Sequence, residues 1–169
     1  MCGDASTVHG EPGRASSAIT VGVEDVGDQA VVAIVDTRDV VSCTGTVIAP
    51  NVVLTAAHCI TAFVSRGARV VFGVDASDRT ASKAAPVPAV VLASSEGPAR
   101  GVAPRVGDVA RVVGYGATGG ETFDIGRKRR GLAKLTHVDA LTLELVAGPS
   151  QPCRGDSGGP TFATIDGGP

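Results

Sequence analysis

The stretch "CTGTVIAPNVVLTAAHC", residues 43–59, carries the strongest local signal for the fold of this chain. Two apolar runs of strand length flank "APN", whose proline and asparagine are typical turn residues. The pattern predicts a hairpin-like unit that brings Cys43 and Cys59 close together. A disulfide there would close a loop of about 15 residues, stabilise the fold by roughly 3 kcal/mol and indicate an oxidising compartment. Two buried thiols are the alternative.

The composition of the 169 residues favours a β-protein with an aliphatic core. Apolar residues make up 43% of the chain but aromatic residues only 3%, with one Tyr and no Trp, so Val, Ala, Leu and Ile must fill the interior. Apolar runs recur between Gly, Pro, Asp and Ser without a 3.6-residue period, which predicts an all-β fold. The predicted strands are 29–36, 42–49, 51–56, 68–74, 87–93, 108–116, 132–146 with a bend, and 160–165.

Charge and residue spacing exclude several functions. The formal net charge is −2, and the basic run "RKRR" at 127–130 has no aromatic neighbours, which predicts a solvated loop and no nucleic-acid binding. Four cysteines show no CxxC spacing and the three histidines are scattered, so we expect no metal site and no cofactor. No apolar run reaches the length of a transmembrane segment.

The "RGD" tripeptide at 154–156 offers adhesion as an alternative function.

Composition also predicts how the chain is organised. Residues 1–17 have the polar character of a flexible leader, and the start lacks the apolar stretch of a signal peptide, so any export signal is expected upstream of Met1. Residues 76–105 are rich in proline and small residues and predict a linker. We therefore expect an N-terminal half at 18–100 and a C-terminal half at 101–169.

The stretch "CRGDSGGP", residues 153–160, has the residue types that acyl transfer by serine requires. Ser157 is a candidate nucleophile, and the backbone NH groups of Gly155 and Ser157 can form an oxyanion hole. Asp156 is expected to point inward, toward a buried positive partner. Gly158 and Gly159 are expected to allow close packing behind the turn.

A candidate base precedes this turn by about a hundred residues. His58 in "LTAAHC" follows a Val-rich strand and precedes a cysteine that can fix its backbone. Imidazole suits general-base catalysis at neutral pH. Taken alone, an ordinary packed histidine and an ordinary tight turn are the alternatives.

"TAAHC" together with "GDSGGP" resembles the trypsin and chymotrypsin-like serine peptidases, and the resemblance covers most of residues 19–166. It implies two antiparallel β-barrels with the site between them, the first missing a segment and the second truncated at its C-terminus. It implies Ser157 as nucleophile, His58 as general base, and Gly155 with Ser157 as oxyanion donors. It further implies a cystine-bridged strand pair, a secreted or periplasmic monomer made as a zymogen, and protein or peptide substrates.

The resemblance also assigns an activation site and a specificity position. In "AITVGVED", Ile19 stands where the family has its freed amino terminus, and Asp156 stands where that terminus pairs. Gln151 occupies the floor of the specificity pocket, where its neutral amide argues against cleavage after Arg or Lys. Cys153 is expected to be unpaired or bonded to Cys2.

The family's third catalytic residue, an aspartate in a D-[IL]-A-L strand, has no counterpart in this sequence. Asp108 in "GDVAR" is the first substitute to consider, followed by Asp75 and Asp78. The hypothesis from the sequence is therefore a serine endopeptidase. The alternative is an inactive pseudoprotease that uses the same scaffold to bind a partner.

Overall fold

The computed structural model describes residue 19 and residues 22–63, 67–78, 80–81, 83–84, 104–118, 124–139, 142–146 and 150–163. Within these residues the chain forms strands and one short helix. This part of the chain contains no helix that is long and apolar enough to cross a membrane. The elements are β1 (Val23–Glu24), β2 (Val31–Val35), β3 (Val41–Ala49), β4 (Val52–Leu54), α1 (Ala57–Phe63), β5 (Arg69–Val71), β6 (Lys83–Ala84), β7 (Val109–Gly114), β8 (Arg129–Val138), β9 (Leu143–Val146) and β10 (Thr161–Ala163).

The strands form two antiparallel sheets, which confirms the all-β prediction. The first sheet has the order β4-β3-β2-β5-β6 and contains the hairpin read from residues 43–59. The second has the order β1-β8-β7-β10, and β9 pairs with β8 as well. One edge of β8 pairs with β7, so the other edge is shared by β1 at its start and β9 at its end.

Most strand predictions agree with the structure within a few residues. The long segment predicted at 132–146 with a bend is the hairpin of β8 and β9, and β8 begins earlier, at Arg129. The strand predicted at 87–93 and the leader at 1–17 lie outside the described residues, as does most of the linker at 76–105. The division of the chain at residue 100 stays a prediction.

The core that joins the two sheets consists mainly of valine and alanine, as the composition predicts. Val31, Ala33 and Val35 of β2 are fully or almost fully buried and cluster with Val113 of the other sheet. The one tyrosine, Tyr115, lies in the same cluster with no exposed surface. Its hydroxyl lies within hydrogen-bond distance of the carbonyl oxygens of Val31, at 3.2 Å, and Gly73 and can donate its one hydrogen to either, so this polar group is satisfied inside an apolar core.

The disulfide between Cys43 and Cys59 is present, which confirms that part of the prediction. It is buried with Ile34 and Ala68 and ties β3 to α1. Helix α1 itself was not predicted. With seven residues it makes about two turns, which is too short for an apolar 3.6-residue pattern to register.

The prediction that residues 127–130 form a solvated loop is wrong. Arg129 and Arg130 belong to β8, where they pair with β1. Lys128 is only 2% exposed, and its ammonium donates to the carbonyl oxygen of Asp28 at 2.7 Å beside buried Asp25. Acidic residues a hundred positions earlier thus supply the partners, and a local charge count does not register them.

Candidate active site

The segment 153–160 folds as two consecutive tight turns that share Asp156. The NH of Asp156 donates to Cys153 O at 3.0 Å, and the NH of Gly159 donates to Asp156 O at 2.9 Å. The third residue of each turn has a positive φ, 97° at Gly155 and 84° at Gly158. A type II turn requires a positive φ at that position, which favours glycine. The glycine spacing in "RGDSGG" therefore follows from this double turn, which fixes the backbone of Ser157.

The double turn packs closely against both sheets, as expected for Gly158 and Gly159. A Cβ on Gly158 would lie 2.1 Å from Thr55 Oγ1, and one on Gly159 would lie 2.5 Å from Val113 O. At Gly155 the close neighbours are Gly116 Cα at 3.0 Å and Ile125 Cδ1 at 2.9 Å. The missing side chain of Gly155 therefore makes room for the protein's own loop.

Thr44 of β3 holds the double turn from the other sheet and was missed in the sequence. Its hydroxyl donates to Gly155 O at 2.8 Å and accepts from Tyr115 N at 3.1 Å. Its NH donates to Ser157 O at 2.9 Å. The hydroxyl of Thr55 donates to Thr44 O at 2.7 Å. A threonine at 0% exposure beside the apolar strand β2 is the signal of such a role, but burial cannot be read from one sequence.

His58 lies at the same corner of the molecule as Ser157. It is the second residue of α1 and is exposed, and a ring nitrogen lies within 4.8 Å of the sulfur atoms of Cys43 and Cys59. Cys59 Sγ is in turn 3.7 Å from Ser157 O. The disulfide therefore lies close to both the candidate base and the backbone of the candidate nucleophile. Because the two sulfurs are bonded to each other, they are not thiolate ligands for a metal.

The backbone donors beside Ser157 are uncommitted. Among the described residues, neither the NH of Gly155 nor that of Ser157 donates to an acceptor, whereas the NH of Asp156 between them is used within the turn. Gly155 is a buried residue. Buried donors without partners are rare, so the NH of Gly155, together with the NH of half-buried Ser157 itself, fits an anion-binding position.

Asp156 points inward, as the sequence predicts. The residue is 8% exposed, and its carboxylate accepts hydrogen bonds from Gly116 N at 2.7 Å and Cys153 N at 2.8 Å. Burial raises the pKa of Asp156, while these hydrogen bonds and the charge of Arg129 oppose the increase. A carboxylate held in this way is not presented to an adhesion receptor, so the "RGD" alternative has no structural support.

Ile19 is buried and packs on the second sheet. A Cβ on Gly131 of β8 would lie 2.5 Å from Ile19 Cγ2 and 2.4 Å from Ser150 Cβ, so the two side chains meet at this glycine. Gln151 follows Ser150 and is half-buried. Cys153 is disulfide-bonded, so the expectation of an unpaired thiol is wrong.

The three substitute aspartates are engaged in local hydrogen bonds. Asp75 accepts from Ser77 N at 2.9 Å, Asp78 from Thr80 N at 2.8 Å, and Asp108 from Arg105 N at 2.7 Å. Asp108 also precedes β7, whose opposite end contacts the double turn. At ~3.3 Å per residue, the length of the strand places Asp108 about 20 Å from that turn. The geometry therefore disfavours Asp108 as the third catalytic residue.

Comparisons with known proteins agree with the fold. In three dimensions the chain is similar to mouse neuropsin, a serine protease, with a TM-score of 0.63 and 14% identity over 85% of this chain and 82% of that one. The structure of HBP gives 0.63 at 17% identity, over 85% of this chain and 79% of that one. A mutant of human heparin binding protein gives 0.61 at 17% identity, over 85% and 79%. At these identities the similarity shows the fold alone.

No curated protein matches the sequence. The family model for trypsin does match it, over residues 20–110 of the 169, which is more than half of the chain and includes the hairpin, the disulfide and His58. The two-sheet architecture agrees with that match. The chain therefore belongs to the trypsin family of serine proteases.

Proposed function

We propose that the protein is a serine endopeptidase with Ser157 as nucleophile and His58 as general base. The observation that carries the proposal is the double turn, which places Ser157 beside two uncommitted NH groups, its own and that of Gly155, at the corner that also bears His58. Thr44 and the disulfide fix that corner from the first sheet. A rigid nucleophile beside preformed donors is what acyl transfer requires.

The reaction follows from these positions. Ser157 Oγ attacks the peptide carbonyl carbon while His58 takes its proton, and the carbonyl oxygen becomes an oxyanion that the NH groups of Gly155 and Ser157 stabilise. The C–N bond then breaks as His58 returns the proton to the leaving amine. Water, deprotonated by His58, hydrolyses the resulting ester and regenerates the serine.

Labelling with a fluorophosphonate tests this proposal, because the reagent phosphonylates an activated serine hydroxyl. We expect stoichiometric labelling of the intact protein, with the adduct on Ser157 by mass spectrometry. Ser157→Ala should abolish labelling and His58→Ala should slow it by at least ~10²-fold. Ser42→Ala, a change at a serine on β3, is the matched control and should label normally.

A folded protein that is not labelled would contradict the proposal. It would favour the second candidate, a pseudoprotease that binds a partner through the same scaffold. Its folded state can be checked independently by the cooperative unfolding of the buried core around Tyr115.

We further propose that the protein acts on protein or peptide substrates as a monomer outside the cytosol, either secreted or in the periplasm or cell envelope. The Cys43–Cys59 disulfide supports an oxidising location. Fractionation of producing cells combined with thiol labelling checks this. Recovery of the active protein with reduced cysteines from the cytosol would contradict it.

Gln151 is the proposed floor of the specificity pocket. A neutral amide gives no charge to pair with Arg or Lys, so we expect cleavage of a peptide library to disfavour these residues. Gln151→Asp should increase relative cleavage after Arg and Lys by an order of magnitude or so. An unchanged profile would remove Gln151 from this role.

A further inference from the structure

Arg129 and Asp156 occupy the same face of the second sheet. Arg129 of β8 is directly opposite Gly114 of β7 in the antiparallel ladder. Side chains at opposite positions project from the same face of a sheet. The face above Gly114 is filled by Asp156, since a Cβ there would lie 2.2 Å from its Oδ1. The register therefore directs Arg129 toward the buried carboxylate of the serine turn.

The guanidinium of Arg129 is not satisfied by its surface neighbour alone. Its side chain is 14% exposed, and Nη2 donates to Asp124 at 2.7 Å. Nη1 is buried and has no hydrogen-bond partner among the described residues. A buried cation is stable only beside an opposite charge, and Asp156 needs a positive charge for the same reason.

The backbone hydrogen bonds to Asp156 do not neutralise the charge of its carboxylate, so a charged side chain must do so. Both carboxylate oxygens accept from backbone NH groups, which carry no net charge. The charge of Arg129 favours the ionised carboxylate, against the effect of burial on its pKa. Within the described residues, Asp156 and Asp124 are thus the two anions that face Arg129.

Ile19 is already in its buried position without a free amino group. It follows Ala18 in the sequence, so its nitrogen is part of a peptide bond. The side chain of Ile19 packs against Gly131 of β8. Gly131 is two residues from Arg129 and lies on the same inward face of the strand. The apolar seat and the positive charge are therefore both present in the uncleaved chain.

We propose that Arg129 is the internal counter-ion of Asp156 and holds the serine turn in its ordered conformation without cleavage before Ile19. Arg129 is a positioning residue, because it acts on Ser157 through Asp156. The inference rests on the proposed function of Ser157 for its catalytic consequence, but the pairing itself can be tested without activity.

The first test is the pKa of Asp156, followed by carboxyl ¹³C NMR on the full chain. Arg129→Gln should raise this pKa by about one unit, the lower end of the effect of an adjacent opposite charge. In Arg129→Lys the pKa of Asp156 should stay closer to its value in the parent. In Arg130→Gln, a change on the exposed face of β8, this pKa should equal the parent value. Arg129→Met is a second uncharged variant if the glutamine variant does not fold. A pKa that is unchanged in the uncharged variant would overturn the proposal.

The second test separates this inference from the proposed function. A protease site is placed at residues 15–18, and fluorophosphonate labelling is compared before and after the cut that frees Ile19. We expect the intact parent to label within about twofold of the cut protein, and intact Arg129→Gln to label roughly tenfold more slowly, equivalent to one pKa unit. If the parent is labelled only after cutting, the inference about Arg129 is overturned, but the proposed function of Ser157 is supported. If neither form labels, the proposed function fails, and the pKa shift of Asp156 alone decides the role of Arg129.

Discussion

Thr44 shows how one buried polar residue can position a site on another sheet. Its hydroxyl, NH and carbonyl groups all make hydrogen bonds, and two of these go to the backbone on either side of Asp156. The double turn itself could be predicted from "CRGDSGGP", because a type II turn leaves a local glycine signature. Thr44 could not, because its contact with Gly155 joins residues 111 positions apart.

Replacing Thr44 by valine keeps the shape of the side chain but removes the hydroxyl. Gly155 O and Tyr115 N would lose their partner in a buried place, so we expect the free energy of unfolding to fall by about 1–3 kcal/mol. Labelling of Ser157 should fall as well, since the turn is no longer held. Thr44→Ser restores the hydroxyl and should recover most of both losses, measured by urea unfolding and fluorophosphonate labelling. Equal behaviour of the valine and serine variants would contradict this role.

At the scale of elements, two attachments determine where α1 and β8 lie. The Cys43–Cys59 disulfide fixes the start of α1, and the buried Lys128 precedes β8 and joins it to the segment after β1. The hairpin of β3 and β4 was predictable because its apolar runs and turn are adjacent in sequence. The burial of Lys128 was not, since its partners belong to an element that is distant in sequence.

Removing the disulfide by the double substitution Cys43→Ala and Cys59→Ala should lower the free energy of unfolding by about 3 kcal/mol. Because the disulfide lies beside both His58 and the backbone of Ser157, labelling should fall by more than the loss of folded protein explains. Denaturant unfolding and labelling under native conditions measure the two effects separately. Full labelling of the folded double variant would show that the disulfide does not position the site.

Lys128→Met should destabilise the protein by about 3 kcal/mol at neutral pH, because it leaves Asp25 buried beside no positive charge. Arg130→Met, two residues away but exposed, should change the stability by less than about 0.5 kcal/mol. Urea unfolding of the two variants measures the difference. Equal effects would restore the interpretation of 127–130 as a solvated run.

The pairing of Lys128 with Asp25 also predicts a pH dependence of the free energy of unfolding. Burial opposes ionisation of Asp25, but hydrogen bonds from Asp28 and Gly27 with the charge of Lys128 hold its pKa below the ordinary 3.8. A carboxyl group with a lowered pKa stabilises the folded state above its unfolded pKa, and the contribution is lost as the pH falls through the folded value. The difference between parent and Lys128→Met should therefore shrink below about pH 4.

At the scale of the whole molecule, the candidate site lies where the two sheets meet. The first sheet contributes Thr44 and leads into His58, and the second contributes Gly114 and Arg129 around Asp156. The family and the candidate pair of His58 and Ser157 follow from short motifs that are local in sequence, and the all-β class follows from apolar runs of strand length. The contacts that hold the pair follow from strand register, which one sequence does not record.

The central claim is that His58 and Ser157 converge across this junction. A crystal structure of the protein tests it through the distance between the nearer ring nitrogen of His58 and Ser157 Oγ. We predict about 2.6–3.2 Å, or somewhat longer without substrate. Side chains that face different surfaces, separated by many ångströms, would contradict the account.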